Sequence, residues 1–313
     1  MAVTKRQEIL FIYETKDCNP NGDPLDENKP RTDPETGVVT VTDVRIKRTI
    51  RDYLYGTKGL EILVRDTFDA KGYLKDGKGR CEDFAEEAGV DKKDNIPTKV
   101  DKIQKLILGK CIDARLFGCT LPVDKGSVKV TGPVQFNGFN RSLHRVAPIF
   151  VQGTAGFASG KEATQKSFRE DYIIPYACIA AYGIVNEIAA RSTQLSDTDV
   201  SLLLESLISR SKMGHQPLML IRITYKNGHR IGDLAGRIKL ISGKEDIQIR
   251  SIDDYVIDAT SLIGSILSAR DEIEGIEVKQ DDRLKFKDDG QEGAFAEMKR
   301  LNGISIQSLV IGG

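Results

Sequence analysis

The stretch Glu8-Ile9-Leu10-Phe11-Ile12-Tyr13-Glu14-Thr15 is a short run of apolar, β-branched and aromatic residues. It is followed by Asn19-Pro20-Asn21-Gly22-Asp23-Pro24, where two prolines and a glycine prevent continued strand or helix. A run bounded in this way predicts a buried central strand. Because Asp33-Pro34-Glu35-Thr36-Gly37 adds a second turn, we expect residues 16–41 to form one long structured loop, and such loops are usually functional.

A helix with one apolar and one basic face is predicted directly after this loop. Thr42 and Asp43 can cap a helix that runs to about Tyr55. On a helical wheel of about 100° per residue, the apolar residues Ile46, Ile50, Tyr53 and Leu54 fall on one side, and the bases Arg45, Lys47, Arg48 and Arg51 spread over the opposite arc. We interpret the second arc as a cationic face for phosphates, and an ordinary solvated face is the alternative.

Three more strands and a second helix complete the predicted core. Strands are expected at 127–136, 172–186 and 217–225, and a helix at 197–209 begins after the capping-box residues Ser196 and Asp199. The resulting order, βαββαβ, is the ferredoxin-like topology of the RNA-recognition motif. We therefore predict an α+β fold in which residues 56–126 and 137–171 are insertions and residues 241–313 form a C-terminal α/β addition.

Charge is balanced in total but unevenly distributed. The chain has 46 basic and 46 acidic residues, yet residues 44–57 carry a net charge of +3, residues 206–239 of +6 and residues 245–293 of −8. Separate patches of opposite sign can bind an anionic strand on one face and copies of the same chain on another. Ordinary solvated surface is the alternative for any single patch.

Composition narrows the class of protein. The chain has 313 residues, 40% of them hydrophobic, with a mean hydropathy of −0.30, as in a soluble globular protein. It contains no apolar run of the length of a membrane span, and residues 9–13 are too short for the core of a signal peptide. We expect a cytoplasmic protein with no membrane partner, and the five scattered cysteines are expected to be reduced thiols.

Motifs for catalysis are absent from the sequence. It lacks HExxH, GxSxG and a GxGxxG after a strand, so we predict no cofactor, no metal and no enzymatic activity. His144, His215 and His229 offer acid–base groups for a metal-independent ribonuclease, but a non-catalytic surface role is favoured. The loop acids Asp23, Asp26 and Asp33 offer Mg²⁺ ligands, but Asp beside Pro or Gly is more often turn chemistry.

The remaining hypothesis is that the protein binds the phosphate backbone of RNA. The aromatic string with which RNA-recognition motifs stack bases is missing. The connection at 209–215 suits phosphates instead, because it combines Arg210, Ser211 and Lys212 with a glycine, and Met213 is able to lie against a base. A polar connection between a helix and a strand is the alternative.

A family resemblance rests on several motifs in fixed order. These are Cys18-Asn19-Pro20-Asn21-Gly22-Asp23-Pro24, Pro30-Arg31-Thr32-Asp33-Pro34-Glu35-Thr36-Gly37, Val41-Thr42-Asp43-Val44-Arg45-Ile46-Lys47-Arg48-Thr49-Ile50-Arg51, Asp113-Ala114-Arg115-Leu116-Phe117-Gly118, Gly132-Pro133-Val134-Gln135-Phe136, Glu170-Asp171-Tyr172-Ile173-Ile174-Pro175-Tyr176-Ala177 and Ser209-Arg210-Ser211-Lys212-Met213-Gly214. In these motifs the chain resembles the CRISPR-associated backbone subunit of type I Cascade complexes, the Cas-seven superfamily. The type I-B branch is the most similar, and the type I-C branch is also similar. The motifs cover most of the chain, and the last seventy residues match loosely.

The resemblance implies a fold and a function. It implies one domain over residues 1–313, with a modified RNA-recognition-motif palm (1–55, 127–136 and 172–240), a finger (56–126) and a thumb (137–171). The subunit would polymerise head to tail along a CRISPR RNA guide and present it for pairing with target DNA in antiviral defence. Other Cascade subunits would be its partners: the Cas-five subunit, the large subunit and the repeat-processing endonuclease.

The same resemblance implies which residues bind RNA. They are Asn19, Asn21, Arg31, Arg45, Lys47, Arg48, Arg51, Gln135, Lys161, Lys166, Arg169, Arg210, Ser211, Lys212 and Met213. Related subunits of type III complexes cut target RNA with a loop aspartate, whereas type I members are not expected to cut. A ribonuclease of the same fold family is the alternative, and Asp33 in its Pro-Glu-Thr-Gly turn is a poor nuclease acid.

Overall fold

A nine-stranded sheet with helices packed against it forms the framework of this chain, so the predicted α+β class is confirmed. The computed structural model describes residues 2–158, 166–209 and 213–310, without the side chains of residues 154–158 and 166–169.

The strands are β1 (Gln7–Cys18), β2 (Gly22–Asp23), β3 (Lys29–Pro30), β4 (Val38–Thr42), β5 (Gly118–Val123), β6 (Gly126–Thr131), β7 (Val134–Phe136), β8 (Phe139–Arg145), β9 (Ile149–Ala158), β10 (Lys166–Val185), β11 (His215–Tyr225), β12 (Lys239–Ser242), β13 (Tyr255–Asp258), β14 (Ile273–Gln280), β15 (Phe286–Asp288), β16 (Gln291–Gly293) and β17 (Ile306–Ser308). The α-helices are α1 (Asp43–Gly56), α2 (Gly77–Glu87), α3 (Ile96–Lys110), α4 (Ile112–Phe117), α5 (Glu187–Thr193), α6 (Asp197–Ile208) and α7 (Thr260–Ser268). Short 3-10 helices occupy Ala235–Arg237, Asp246–Gln248, Ile252–Asp254, Phe295–Glu297 and Lys299–Leu301.

The first predicted strand lies near the middle of the large sheet. The strand order is β17-β14-β11-β1-β10-β8-β4, and β7 and β9 also pair with β10. β1 is antiparallel to both neighbours, so that Phe11 lies opposite Ala181 of β10 and Leu220 of β11. The prediction of a buried central strand is therefore confirmed.

Both faces of β1 are covered. Side chains alternate along a strand, and Ile9, Phe11 and Tyr13 point to one face while Leu10 and Ile12 point to the other. The first face packs on α1 and α6, whose buried residues include Ile46, Ile50, Leu54, Val200, Leu203 and Leu207. The second face packs on the C-terminal region, with Ile252, Tyr255, Ile257, Leu262, Ile263 and Phe286. The sheet therefore lies between two layers.

The two predicted core helices are present with the predicted caps. The Thr42 hydroxyl accepts a hydrogen bond from the Arg45 backbone N–H, at 3.3 Å, at the start of α1. Ser196 and Asp199 form a complete capping box at the start of α6, with the Ser196 hydroxyl 3.1 Å from the Asp199 nitrogen. Caps of this kind satisfy backbone donors that have no partner within the helix.

The strand predicted at 127–136 is wrong as one element. It is two strands separated by Gly132 and Pro133, because β6 pairs with β5 in a hairpin outside the large sheet whereas β7 pairs with β10. A Cβ atom on Gly132 would lie 2.0 Å from the Phe117 carbonyl carbon, so only glycine fits at this position.

Five strands outside the predicted core strands also belong to the large sheet: β4, β8, β9, β14 and β17. Because β4 overlaps the segment 16–41, that segment is not one loop throughout. β8, from the predicted insertion 137–171, pairs with β4 and β10. β14, from the C-terminal region, pairs with β11 along seven residue positions, from Met219 opposite Gln280 to Tyr225 opposite Ile273. The C-terminal region therefore extends the sheet in addition to covering it.

The Glu8 carboxylate is buried in the centre of the protein. It accepts hydrogen bonds from the hydroxyls of Tyr182 and Tyr225 and from the backbone N–H groups of Ile231 and Gly232, both at 2.8 Å. Four donors match the four lone-pair sites of an ionised carboxylate. This one side chain therefore fastens the connection after β11 to the sheet.

His144 is also buried, so its expected surface position is wrong. Its Nδ1–H donates to the carbonyls of Arg145 and Asp246, at 3.0 and 3.1 Å, and its Nε2 accepts from the Cys178 N–H at 3.4 Å. These bonds require the neutral ring, and burial lowers the pKa of His144 below its usual value. The histidine joins β8, β10 and the C-terminal region.

The variant Glu8→Gln is expected to lower the free energy of unfolding by about 2–3 kcal/mol, because the amide NH2 would replace an oxygen that accepts from a tyrosine hydroxyl and from a backbone N–H. Chemical denaturation measures this change. Glu86→Gln, at an exposed position of α2, is the control and should change stability by less than about 0.5 kcal/mol. Equal stability of the two variants would contradict the role of Glu8.

His144 is expected to make stability depend on pH. A group whose folded pKa is lowered contributes stability above its unfolded pKa of 6.5, and this contribution is lost as the pH falls from there toward the folded pKa. Unfolding measured between pH 7.5 and 5.5 should therefore show a weaker pH dependence in His144→Gln than in the parent. His229→Gln, at an exposed position, should keep the parent's slope. The same slope in all three proteins would refute this assignment.

Candidate nucleic-acid interface

Three of the predicted RNA-binding segments come together at one end of the large sheet. β1 ends there, with Cys18 opposite Ile174 of β10 and Thr15 opposite His215 of β11. The Lys16 N–H donates to the Gly214 carbonyl at 2.8 Å, which brings Gly214, in the described part of the connection before β11, against the end of β1. The first loop begins at the end of β1 and leads to the start of α1.

Asn21 attaches the first loop to the start of α1. Its Oδ1 accepts from both the backbone N–H and the hydroxyl of Thr42, each at 2.9 Å. Its carbonyl accepts from the Arg31 N–H at 3.0 Å, and the Asn19 side chain donates to the Asn28 carbonyl at 2.6 Å. The two asparagines therefore shape the loop and fix its position relative to the helix.

The loop acids stabilise turns. The Asp33 carboxylate accepts from the N–H groups of Glu35 and Thr36, at 2.9 and 3.2 Å, and these bonds lower the pKa of Asp33. Asp23 pairs with Arg31 at 2.9 Å, and Asp26 pairs with Lys29 at 2.8 Å. Across the described ranges, no group of three or more His, Cys, Asp or Glu residues is placed to hold a metal ion.

The bases of α1 differ in what surrounds them. Arg51 binds Asp113 at 2.8 Å, and that buried carboxylate also accepts from the N–H groups of Leu63 and Val64. Lys47 pairs with Asp43 at 2.7 Å, and Lys47 and Arg51 both lie over the Phe117 ring. Arg48 is the most exposed of these bases and pairs with Asp52 one turn later, at 2.7 Å.

Arg45 lies on a different side of α1, beside the strands. It lines a cleft together with Tyr13 of β1, Thr49 of α1 and Ser209 at the end of α6. The Arg45 Nε atom is buried and has no hydrogen-bond partner among the described residues. The rings of Phe11 and Tyr13 stack below it, with centroids 5.1 Å apart.

The other predicted residues are not all close to this end. Gln135 lies on β7 opposite Ile184, ten residues along β10 from Ile174, which corresponds to about 33 Å along the strand. Met213 is 93% exposed. Lys161, Arg210, Ser211 and Lys212 lie outside the described residues, and the side chains of Lys166 and Arg169 on β10 are not described.

Arg141 and Arg145 are exposed bases that the sequence reasoning missed. Both lie on β8, with Arg145 opposite Val38 of β4. Neither guanidinium has an ion pair within the described part of the chain. The aliphatic part of Arg145 packs over Gly37, where a Cβ atom would lie 2.7 Å from Arg145 Cγ. The alternating pattern Phe139-x-Arg141 is typical of a strand, but residues 137–171 were predicted to be an insertion.

The histidines and cysteines show no catalytic arrangement. His144 is a core residue, the His215 ring lies 5.6 Å from the Tyr13 ring, and His229 is exposed beside Tyr225. All five cysteines are free thiols, as predicted, and burial raises the pKa of Cys178 to about 12. None of the helices in the described ranges is long and apolar enough to cross a membrane.

Comparison with known proteins agrees on one family. The family model for CRISPR-associated protein Cas7 matches residues 5–260. The CRISPR-associated protein Cas7 of Haloferax volcanii is 30% identical over 323 aligned positions, which cover 91% of this chain and 90% of the relative.

Two solved structures align with most of the chain. A chain of a CRISPR RNA-guided surveillance complex, pre-nicking, matches with a TM-score of 0.54 at 12% identity, covering 90% of this chain and 96% of that chain. A chain of a second CRISPR RNA-guided surveillance complex matches with a TM-score of 0.49 at 13% identity, covering 88% of each chain. The first likeness concerns the fold alone, while the family match and the 30% identical relative establish membership: the chain belongs to the CRISPR-associated protein Cas7 family.

Proposed function

We propose that this chain is a non-catalytic subunit that binds a CRISPR RNA guide and forms the backbone of a type I surveillance complex. The observation that carries this proposal is the meeting of the first loop, the start of α1 and the connection before β11 at one end of the sheet. Family membership and the likeness to a chain of an RNA-guided surveillance complex support it.

A modified RNA-recognition-motif palm is the architecture that we propose for the core. The strands β11, β1, β10 and β7 are adjacent in that order, and α1 and α6 cover one face. In an RNA-recognition motif the other face stacks bases. Here the C-terminal region covers it, so the guide would be held by loops at the end of the sheet. Residues 56–126, which have a small core of their own, would be the finger, and residues 137–171 the thumb.

Phosphates and sugars would be the main contacts of the subunit, with sequence left to base pairing. We assign RNA binding to the whole predicted set, from Asn19 and Asn21 to Met213. Arg48 is the most exposed base of α1 and is the first candidate. Lys47, Arg48 and Arg51 would each have to exchange a carboxylate partner for a phosphate, and Arg51 also supports the buried Asp113.

Partners follow from the proposed role. Target DNA would pair with the exposed guide, and further copies of the chain would bind head to tail, with basic regions facing the acidic C-terminal region. The Cas-five subunit, the large subunit and the repeat-processing endonuclease would complete the complex in the cytoplasm. No specific observation favours a ribonuclease, because the loop acids serve turns and ion pairs.

The double variant Lys47→Ala/Arg48→Ala is expected to bind single-stranded guide RNA more weakly than the parent. Each lost phosphate contact should lower the magnitude of the slope of log K against log salt by about 0.7, and two contacts therefore by about 1.4. Fluorescence anisotropy over a salt series measures both quantities. Arg51 is left in place because its loss would leave Asp113 buried without its cation.

The control for this experiment is Arg191→Ala, which removes an exposed base from α5 and should leave the slope unchanged. An unchanged affinity and slope in the folded double variant would contradict the assignment of α1. RNA incubated with the parent protein and Mg²⁺ should be recovered intact, and specific cleavage would favour the ribonuclease.

A further inference from the structure

A small cleft lies between α1, the end of α6 and the strands β1 and β11. Its volume is about 40 Å³. The aromatic residues Phe11 and Tyr13 form its apolar side, and Arg45, Thr49 and Ser209 contribute polar atoms. A water molecule needs a cavity volume of about 10–15 Å³ on the same measure, so the cleft has room for a small polar group.

Arg45 stands apart from the other bases of α1. Lys47, Arg48 and Arg51 each pair with a carboxylate, those of Asp43, Asp52 and Asp113. Arg45 has no carboxylate partner in the described part of the chain, and its buried Nε–H has no acceptor there. A buried donor without an acceptor is costly, and such a group in a native protein calls for a ligand or water.

The hydroxyls around Arg45 complete a site for a group that both donates and accepts. Burial raises the pKa of Tyr13, which keeps its hydroxyl protonated, and no hydrogen bond of this hydroxyl is found within the described residues. Thr49 donates its hydroxyl proton to the Arg45 carbonyl at 3.2 Å, and Ser209 donates to the Glu205 carbonyl at 2.8 Å. The oxygens of Thr49 and Ser209 therefore keep lone pairs for a ligand.

We propose that this cleft binds the 2′-hydroxyl edge of one guide ribose and makes the chain select RNA over DNA. The inference rests on the proposed function, because it takes guide RNA as the ligand at this end of the sheet. A 2′-hydroxyl both donates and accepts, fits a cavity of this size and is the group that distinguishes the two nucleic acids. The ribose approaches from the end where the first loop and the connection before β11 meet.

The test compares single strands of one sequence and length, made as RNA, as DNA and as 2′-O-methyl RNA, at one salt concentration. The parent should bind RNA at least about 5-fold more tightly than DNA, the effect of about one hydrogen bond per bound ribose. The methylated strand should bind as weakly as DNA or more weakly, because its 2′ oxygen has no proton to donate. This comparison needs no variant.

Arg45→Lys keeps the positive charge and removes the Nε–H. It should lower RNA affinity about 5-fold, leave DNA affinity unchanged and keep the salt slope, so that the preference for RNA disappears. Tyr13→Phe should reduce the preference in the same direction. Arg191→Lys, at an exposed position of α5 outside the proposed interface, is the matched control and should retain the full preference.

Two results would overturn the cleft assignment while leaving the proposed function intact. One is equal binding of RNA and DNA by the parent protein. The other is an equal loss of RNA and DNA affinity in Arg45→Lys, which would assign Arg45 to a phosphate alone. Failure of the parent to bind any RNA would instead contradict the proposed function.

Discussion

Burial of β1 on both faces is the constraint on which the rest of the molecule depends. Ile9, Leu10 and Ile12 are fully buried, and each contributes about 1.5–3 kcal/mol through the apolar surface it removes from water. The two helices of the core pack on one face of β1, and the C-terminal region packs on the other face. No open sheet face is left over β1 for bases to stack on. The proposed function therefore places the nucleic acid at the end of β1.

The buried polar groups hold this arrangement together at both ends of β1. Glu8, at the start of the strand, fastens the connection after β11. At the other end, Asn21 fastens the first loop to Thr42 and so to α1. The loop that provides several proposed RNA contacts is thus attached to α1 by hydrogen bonds, and its acids are occupied by turn hydrogen bonds and ion pairs. A loop held in place in this way suits the proposed scaffold, which would contact the nucleic-acid backbone and leave sequence to base pairing.

Local signals in the sequence were sufficient to predict the first strand and the first helix of the core. The apolar run before the prolines predicted β1, and the cap at Thr42 together with the apolar spacing predicted α1, because strand and helix periods are set by neighbouring residues. The split of 127–136 into two strands was not predicted, because it depends on the contact of Gly132 with Phe117, fifteen positions earlier. The pairing of β14 with β11 likewise joins segments that are far apart in the sequence, and no local pattern predicts it.

The chemistry of the site was predictable in kind but not in detail. A basic arc on α1 followed from the helical wheel, but the partner of Arg51 is Asp113, 62 positions away. The cleft of Arg45 brings together residues of β1, α1 and α6, so only the fold reveals it. Arg141 and Arg145 were not predicted as candidate residues. They lie on β8, which joins the sheet by pairing with β4 and β10, and these strands are distant from β8 in the sequence.

Native mass spectrometry of the protein produced together with guides of increasing length tests the central claim most directly. The account predicts particles whose mass rises in steps of one 34.6 kDa chain, each step requiring the same number of added nucleotides. It also predicts that fewer copies of the Lys47→Ala/Arg48→Ala chain bind to one guide at the same salt concentration. A single chain bound at every guide length would contradict the account.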